Sequence, residues 1–389
     1  YSLVNLLGLS LGLAACLLVF AYARFESSYD RDHPLSERLY RVNQTNIWSA
    51  EGGMMASTGP ALAAVLRNHY PEVEDATRIN TPGPQLVRYA PPDGDVLAYN
   101  EEAVLAADSN FFEFFAFPLR EGSPAIALRG TGKVILSPEA ARKYFGDGPA
   151  LGQVLELGEE RRPVEVTGVT MPQPANRHFH FDFLLSMPTN PNVEQMEWSH
   201  IWTQMATYVR LGPGVAAAAL EDKLATLAGR YVAPTFDRLG MDFEEFTGDK
   251  GNWNFYLQPV RDIHLHSAGI GNRLGPVGDA ALVRLLHFIA LLILLIAVLN
   301  FVNLATARAS TRAREVGVKK VLGARRGGLV RQFLIESILI SALASGLALL
   351  LLQVLPFAIA SLTGIQLPVE ELLQPAWTPL YFAIPLGLG

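Results

Sequence analysis

LLHFIALLILLIAVLNFVNLATARASTRAREVGVKKVLGARRGGLVRQFLIESILISALASGLALLLLQVL, residues 285–355, holds two apolar runs around one basic island. Leu285–Ala307 carries His287 as its only ionisable side chain, and Phe333–Thr363 carries only Glu336. Each run exceeds the roughly 20 residues that cross a hydrocarbon core at one helical rise per residue. Between them Arg308, Arg312, Arg314, Lys319, Lys320, Arg325, Arg326 and Arg331 stand against Glu315 alone, a net of +7. The whole chain is −6, so the remainder sums to −13. Short loops rich in Lys and Arg stay in the cytoplasm. The island is therefore expected inside, with the helix before it running inward and the helix after it running out.

Counted from the N-terminus, the first uncharged run, Ser2–Ala23, must then exit outward, which puts Arg24–Arg284 outside the cytoplasm. It lacks a basic n-region, and no small-residue cleavage site precedes Arg24–Asp32, so a retained helix is expected rather than a signal peptide. A fourth run starts near Leu380 and is cut short at Gly389. Half of the 389 residues are hydrophobic and 17% are charged, so the clumping of the apolar residues, not their total, sets the class. Gly8 and Gly12 form a GxxxG pattern in the first run, spacing that lets two helix backbones approach in lipid. Ser341 and Ser345, with Ala342 and Gly346, repeat it in the third. Cys16, the sole cysteine, lies inside the first run, so the outer segment relies on a hydrophobic core rather than a disulfide.

The outer segment reads as mixed α and β. Thr58-Gly59-Pro60 opens a helix with Leu62, Val65 and Leu66 on one face. Ser137-Pro138 is a cap and first-turn pair, and that helix ends at Gly146. A long helix is expected over Val215–Tyr231. Strands are expected at Leu39–Val42, Val134–Leu136, Val164–Val169, Phe179–Leu185 and Phe255–Leu265. Helices and strands do not alternate regularly, which predicts an α+β extracytoplasmic domain inserted between transmembrane α-helices.

Chemistry-bearing patterns are few. His178-Phe179-His180-Phe181-Asp182-Phe183, on a strand, would set two His and a carboxylate on one face, where they could hold a metal with open positions. A half-buried strand with a polar outer face explains the pattern equally well, and no metal or other cofactor is expected. Ile263-His264-Leu265-His266 is a second such pair with the same two readings. Gly130-Thr131-Gly132-Lys133 ends like a phosphate-binding loop, but Ala127 and Val134 stand where Gly and Ser or Thr are needed, so no ATPase site is expected. The basic island could form a short amphipathic helix that lies on anionic lipid or docks into a cytoplasmic partner. Its flanking spans argue against a nucleic-acid partner.

The run Asn300-Phe301-Val302-Asn303-Leu304-Ala305-Thr306-Ala307-Arg308, continued by Arg312-Ala313-Arg314-Glu315-Val316-Gly317-Val318-Lys319-Lys320-Val321-Leu322-Gly323-Ala324, resembles the FtsX-like permease signature. Much of the rest resembles the MacB-like periplasmic core of the same ABC transporter family. Arg38-Leu39-Tyr40-Arg41-Val42, Asp108-Ser109-Asn110-Phe111-Phe112 and Gln258-Pro259-Val260-Arg261-Asp262-Ile263-His264-Leu265 carry that likeness.

The resemblance implies a permease subunit, not an enzyme, in a bacterial inner membrane. Its partners would be an ATP-binding cassette ATPase, a second permease copy or paralogue, and the bilayer, with periplasmic or outer-membrane proteins beyond. Arg314–Ala324 would be the coupling helix through which ATP hydrolysis moves the outer domain, for export or extraction of a substrate. A membrane-anchored sensor or regulator is the alternative. The expected order is a membrane helix at 1–23, the outer core at 24–284 and a helix at 285–307. A cytoplasmic loop at 308–331, a helix at 332–355, an outer loop at 356–379 and the start of a fourth helix at 380–389 follow.

Overall fold

A computed structural model describes residues 2–49, 52–92, 94–248, 253–311 and 313–363. The chain divides into two compact units, Ser28–Gly278 and the combination of Tyr1–Ser27 with Asp279–Gly389.

The second of these is the membrane unit. Three helices, Ser2–Ser27, Ala280–Thr311 and Arg326–Thr363, are long and apolar enough to cross a bilayer. All three outrun their apolar stretches, because Arg, Glu and Lys are good helix formers and nothing in the backbone stops the turn where hydropathy stops. The third continues through Pro356 to Thr363, where the sequence suggested that a loop begins. One proline removes a single backbone donor, which a long helix tolerates as a kink. The expected fourth helix at 380–389 lies outside the described residues. Leu9, Leu13 and Ala14 of the first helix pack with Ala297 and Phe301 of the second and Ala344 and Ala348 of the third.

Among the described residues, the outer unit is built on one mixed sheet of 14 strands. Its centre is the antiparallel set Phe255–Pro259, Leu39–Thr45, Met205–Leu211 and Val73–Asn80. From there the sheet runs through Val104–Ala107, Phe183–Ser186, Lys133–Leu136 and Arg162–Thr170 to an edge at Leu97–Glu101. Two of those junctions are parallel. One core cluster gathers Phe111, Phe112, Phe114, Phe115, Phe117, Phe179 and Phe181, each contributing about 2 kcal/mol by its burial. Two others lie under the helix Pro138–Phe145 and under the helices Ala61–His69 and Ala217–Leu224. Ser137 Oγ accepts from the Ala140 amide and Gly146 closes the same helix, the two ends read from the sequence.

Three elements differ from expectation. The strand expected at 179–185 starts only at Phe183 and runs to Ser186. At Phe181 the backbone bonds the Gln173 side chain at both N–H and C=O, in place of a neighbouring strand. The strand Phe255–Pro259 stops at its proline and turns into the short helix Ile263–His266. The 215–231 helix breaks after Leu224 into a wide turn, Ala228–Val232, and a further helix, Ala233–Arg238. Pro234 lacks an N–H and crowds the carbonyl of Arg230, and a wide turn relieves both.

Candidate functional site

The segment between the second and third membrane helices folds as the helix Ala313–Val321. It ends in a Schellman turn. The Ala324 amide donates to the Lys319 carbonyl at 2.9 Å and the Gly323 amide to that of Lys320 at 3.1 Å. Gly323 takes φ +88°, a conformation that costs a side chain energy and glycine nothing. One side of the helix is tied back to its own unit. Lys319 Nζ lies 2.8 Å from Glu315 and 3.3 Å from Gln332 Oε1 of the third membrane helix. Val316, on the neighbouring side, is half-buried.

The adjoining side is bare. Val318, Val321 and Leu322, at helical spacing, are 57%, 88% and 80% exposed. Arg314 falls between them on the same face by the helical period, and Lys320, Arg325 and Arg326 are exposed around it. The arrangement is a small apolar face with cations inside and around it. Lys319 stands apart from this group, since its charge is engaged within the chain.

In the membrane unit, Gly12 packs tightly against the second helix. A Cβ there would meet Ala297 Cβ at 2.5 Å, and one at Gly8 would meet Asn300 Nδ2 at 3.1 Å.

The His-x-His residues go separate ways. His178 is buried, with Nδ1 2.8 Å from Asp30 Oδ2 and Nε2 2.8 Å from the Tyr208 hydroxyl. His180 is exposed and bonds the Pro174 carbonyl, while Asp182 accepts from the capping Ser137 hydroxyl. The strand that would have aligned all three is absent at 178–182, and among the described residues no three His, Cys, Asp or Glu gather as a metal site. His264 stacks on Tyr29 with ring centroids 3.4 Å apart. In the glycine loop the Gly132 amide donates to Thr189 Oγ1 and Lys133 pairs with Glu165.

Comparison with known proteins matches residues 2–227 to the MacB-like periplasmic core domain and residues 287–389 to the FtsX-like permease C-terminal domain. The chain belongs to the MacB/FtsX family of ABC transporter permeases. The ABC transporter permease YvrN of Bacillus subtilis, itself uncharacterized, is 22% identical over the whole chain and 90% of its own length. The macrolide export ATP-binding/permease protein MacB of Chromobacterium violaceum is 25% identical over 53% of this chain. The match spans only 27% of that relative's length. Among solved structures, a permease domain from Porphyromonas gingivalis covers 66% of this chain and 98% of its own, at 25% identity and TM-score 0.49. The periplasmic region of MacB from Actinobacillus actinomycetemcomitans covers 59% and 92%, at 13% identity and TM-score 0.37.

In this MacB/FtsX-type chain, sequence reasoning passed over a buried polar group on the central strands. Arg41 is fully buried and directly opposite both Tyr208 and Gln258 in the sheet register. Its guanidinium donates to Asn43 Oδ1, Gln258 Oε1 and Ser267 Oγ at 2.7–3.0 Å. Burial depresses the Arg41 pKa and raises that of Tyr208, which keeps the tyrosine a protonated donor toward His178. The signal was available: Arg41 and Asn43 alternate within Leu39–Thr45, polar side chains at period two on one face of the strand.

Proposed function

We propose that this permease couples ATP hydrolysis by a separate ATP-binding cassette subunit to motion of its own outer domain, in export or extraction of a substrate at the outer face of a bacterial inner membrane. Arg314–Ala324 is the coupling segment, and a second permease copy or paralogue completes the assembly. The supporting observation is the exposed trio Val318, Val321 and Leu322 on a helix held between two membrane helices. Fully burying such side chains contributes about 1.5–3 kcal/mol each, so the bare face favours a partner's groove. Arg314, Lys320 and the neighbouring arginines then steer association.

Replacing an apolar anchor by Asp forces a choice between burying an unpaired carboxylate, at several kcal/mol, and leaving the groove. Leaving is cheaper. Val321→Asp and Leu322→Asp are expected to insert and express normally while losing co-purification of the ATPase. Complex formation at wild-type level in both variants would overturn the coupling assignment.

A further inference from the structure

The chain enters the outer unit at Ser28–Asp32 and leaves it at Gly275–Gly278, and both segments converge on two buried histidines. On the entering side, Asn176 Nδ2 donates to Ser28 Oγ, the Asp30 amide donates to the Asn176 carbonyl, and Arg177 donates to Asp32. Asp30 itself sits at φ +56°, held in that left-handed conformation by its amide bond and by the His178 ring. On the leaving side, Gly275 at φ +69° passes so close to His178 that a Cβ would lie 2.3 Å from the histidine carbonyl oxygen. The Gly278 amide donates to the His264 carbonyl, and the His264 ring stacks on Tyr29.

The chemistry of His178 is that of a bridge. The Asp30 carboxylate can only accept, so Nδ1 carries the proton. Nε2 makes the second bond, to the Tyr208 hydroxyl, and Tyr208 lies across the sheet from Arg41. A continuous, buried chain of hydrogen bonds therefore links the residue three positions past the first membrane helix to the middle strand of the sheet.

We propose that His178 and His264 form a clasp that fastens the entering and leaving segments to each other and to the central strands, so that displacement arriving along either segment moves the outer domain as a whole. The proposal rests on the coupling function above. It is tested on the full chain with its ATPase partner in lipid nanodiscs, with Cys16→Ala and a spin label at Asp147→Cys reporting the distance between copies with and without ATP. The clasp variants are Tyr208→Phe, which keeps shape and removes the bridge bond, and the pair His264→Ala and His264→Phe, of which only the second keeps the stack on Tyr29.

The expected result is an ATP-driven distance change in the wild type that is at least halved in Tyr208→Phe and His264→Ala and restored in His264→Phe. ATPase co-purification and hydrolysis should stay at wild-type level in all three. Distance changes of wild-type size in Tyr208→Phe and His264→Ala, or hydrolysis falling in step with them, would mean that the clasp only stabilises the fold. Absence of any nucleotide response in the wild type would instead remove the coupling reading, and this proposal with it.

Discussion

Two residues show how one position reports on its surroundings. His200 is buried, and burial pulls its pKa from 6.5 down to about 4. The unfolded chain takes up this proton as pH falls through 6.5, whereas the folded chain refuses it until about 4. Its contribution is therefore fully present above that window and lost progressively within it, up to about 1.4 kcal/mol per unit of depression. Denaturant unfolding followed from pH 7 to pH 4 should show a shallower acid loss in His200→Leu than in the wild type. Gly12 is a packing position of the opposite kind, where the absent atom matters. The 2.5 Å approach of its ideal Cβ to Ala297 predicts that Gly12→Val costs about 1–3 kcal/mol of helix packing. Ala297→Gly should recover part of that in the double variant, measured as resistance of the purified protein to thermal unfolding in detergent.

At the scale of elements, the proposed coupling helix, Ala313–Val321, is defined by how it stops. Its Schellman turn lets the chain pass from Val321 into the membrane helix at Arg326 within a few residues. Gly323→Ala places a Cβ on a residue at φ +88° and is expected to cost about 1 kcal/mol locally. Because the apolar trio itself is untouched, the variant should keep ATPase binding but show faster hydrogen exchange over 319–325. Protection equal to wild type would remove the turn from the account. The Lys319–Glu315 pair, at helical spacing and partly exposed, contributes only a few tenths of a kcal/mol. Its bond to Gln332 nonetheless orients Lys319 toward the third membrane helix.

Across the whole molecule, the charge imbalance sets the expected sidedness. The island of +7 between two membrane helices predicts residues 308–331 inside and 24–284 outside. Single cysteines at Asp147 and Arg326, in a Cys16→Ala background, should react oppositely with an impermeant thiol reagent in intact cells. Reaction of the Arg326→Cys variant from outside would reverse the topology and remove the cytoplasmic setting that coupling requires. The outer unit joins a sheet faced by three apolar clusters to attachment segments tied by short, buried polar contacts.

The three long apolar helices, the α+β outer domain, the Ser137 cap and the glycine stop at Gly146 were legible in the sequence. Each depends on the local cost of one residue in water, lipid or a given backbone conformation, and that cost travels with the residue type. The likeness to MacB/FtsX permeases was legible for the same reason, since its motifs are contiguous. The fates of His178, His180 and Asp182 were not. A period-two pattern sets them on one face only if the segment pairs as a strand, and Gln173 and Asp30 decide that it does not. Asp30 lies 148 positions from His178 along the chain, and Tyr208 and Arg41 come together only through strand register. A buried imidazole takes its role from whichever donor and acceptor the fold brings to its two nitrogens, and only the tertiary structure determines which those are.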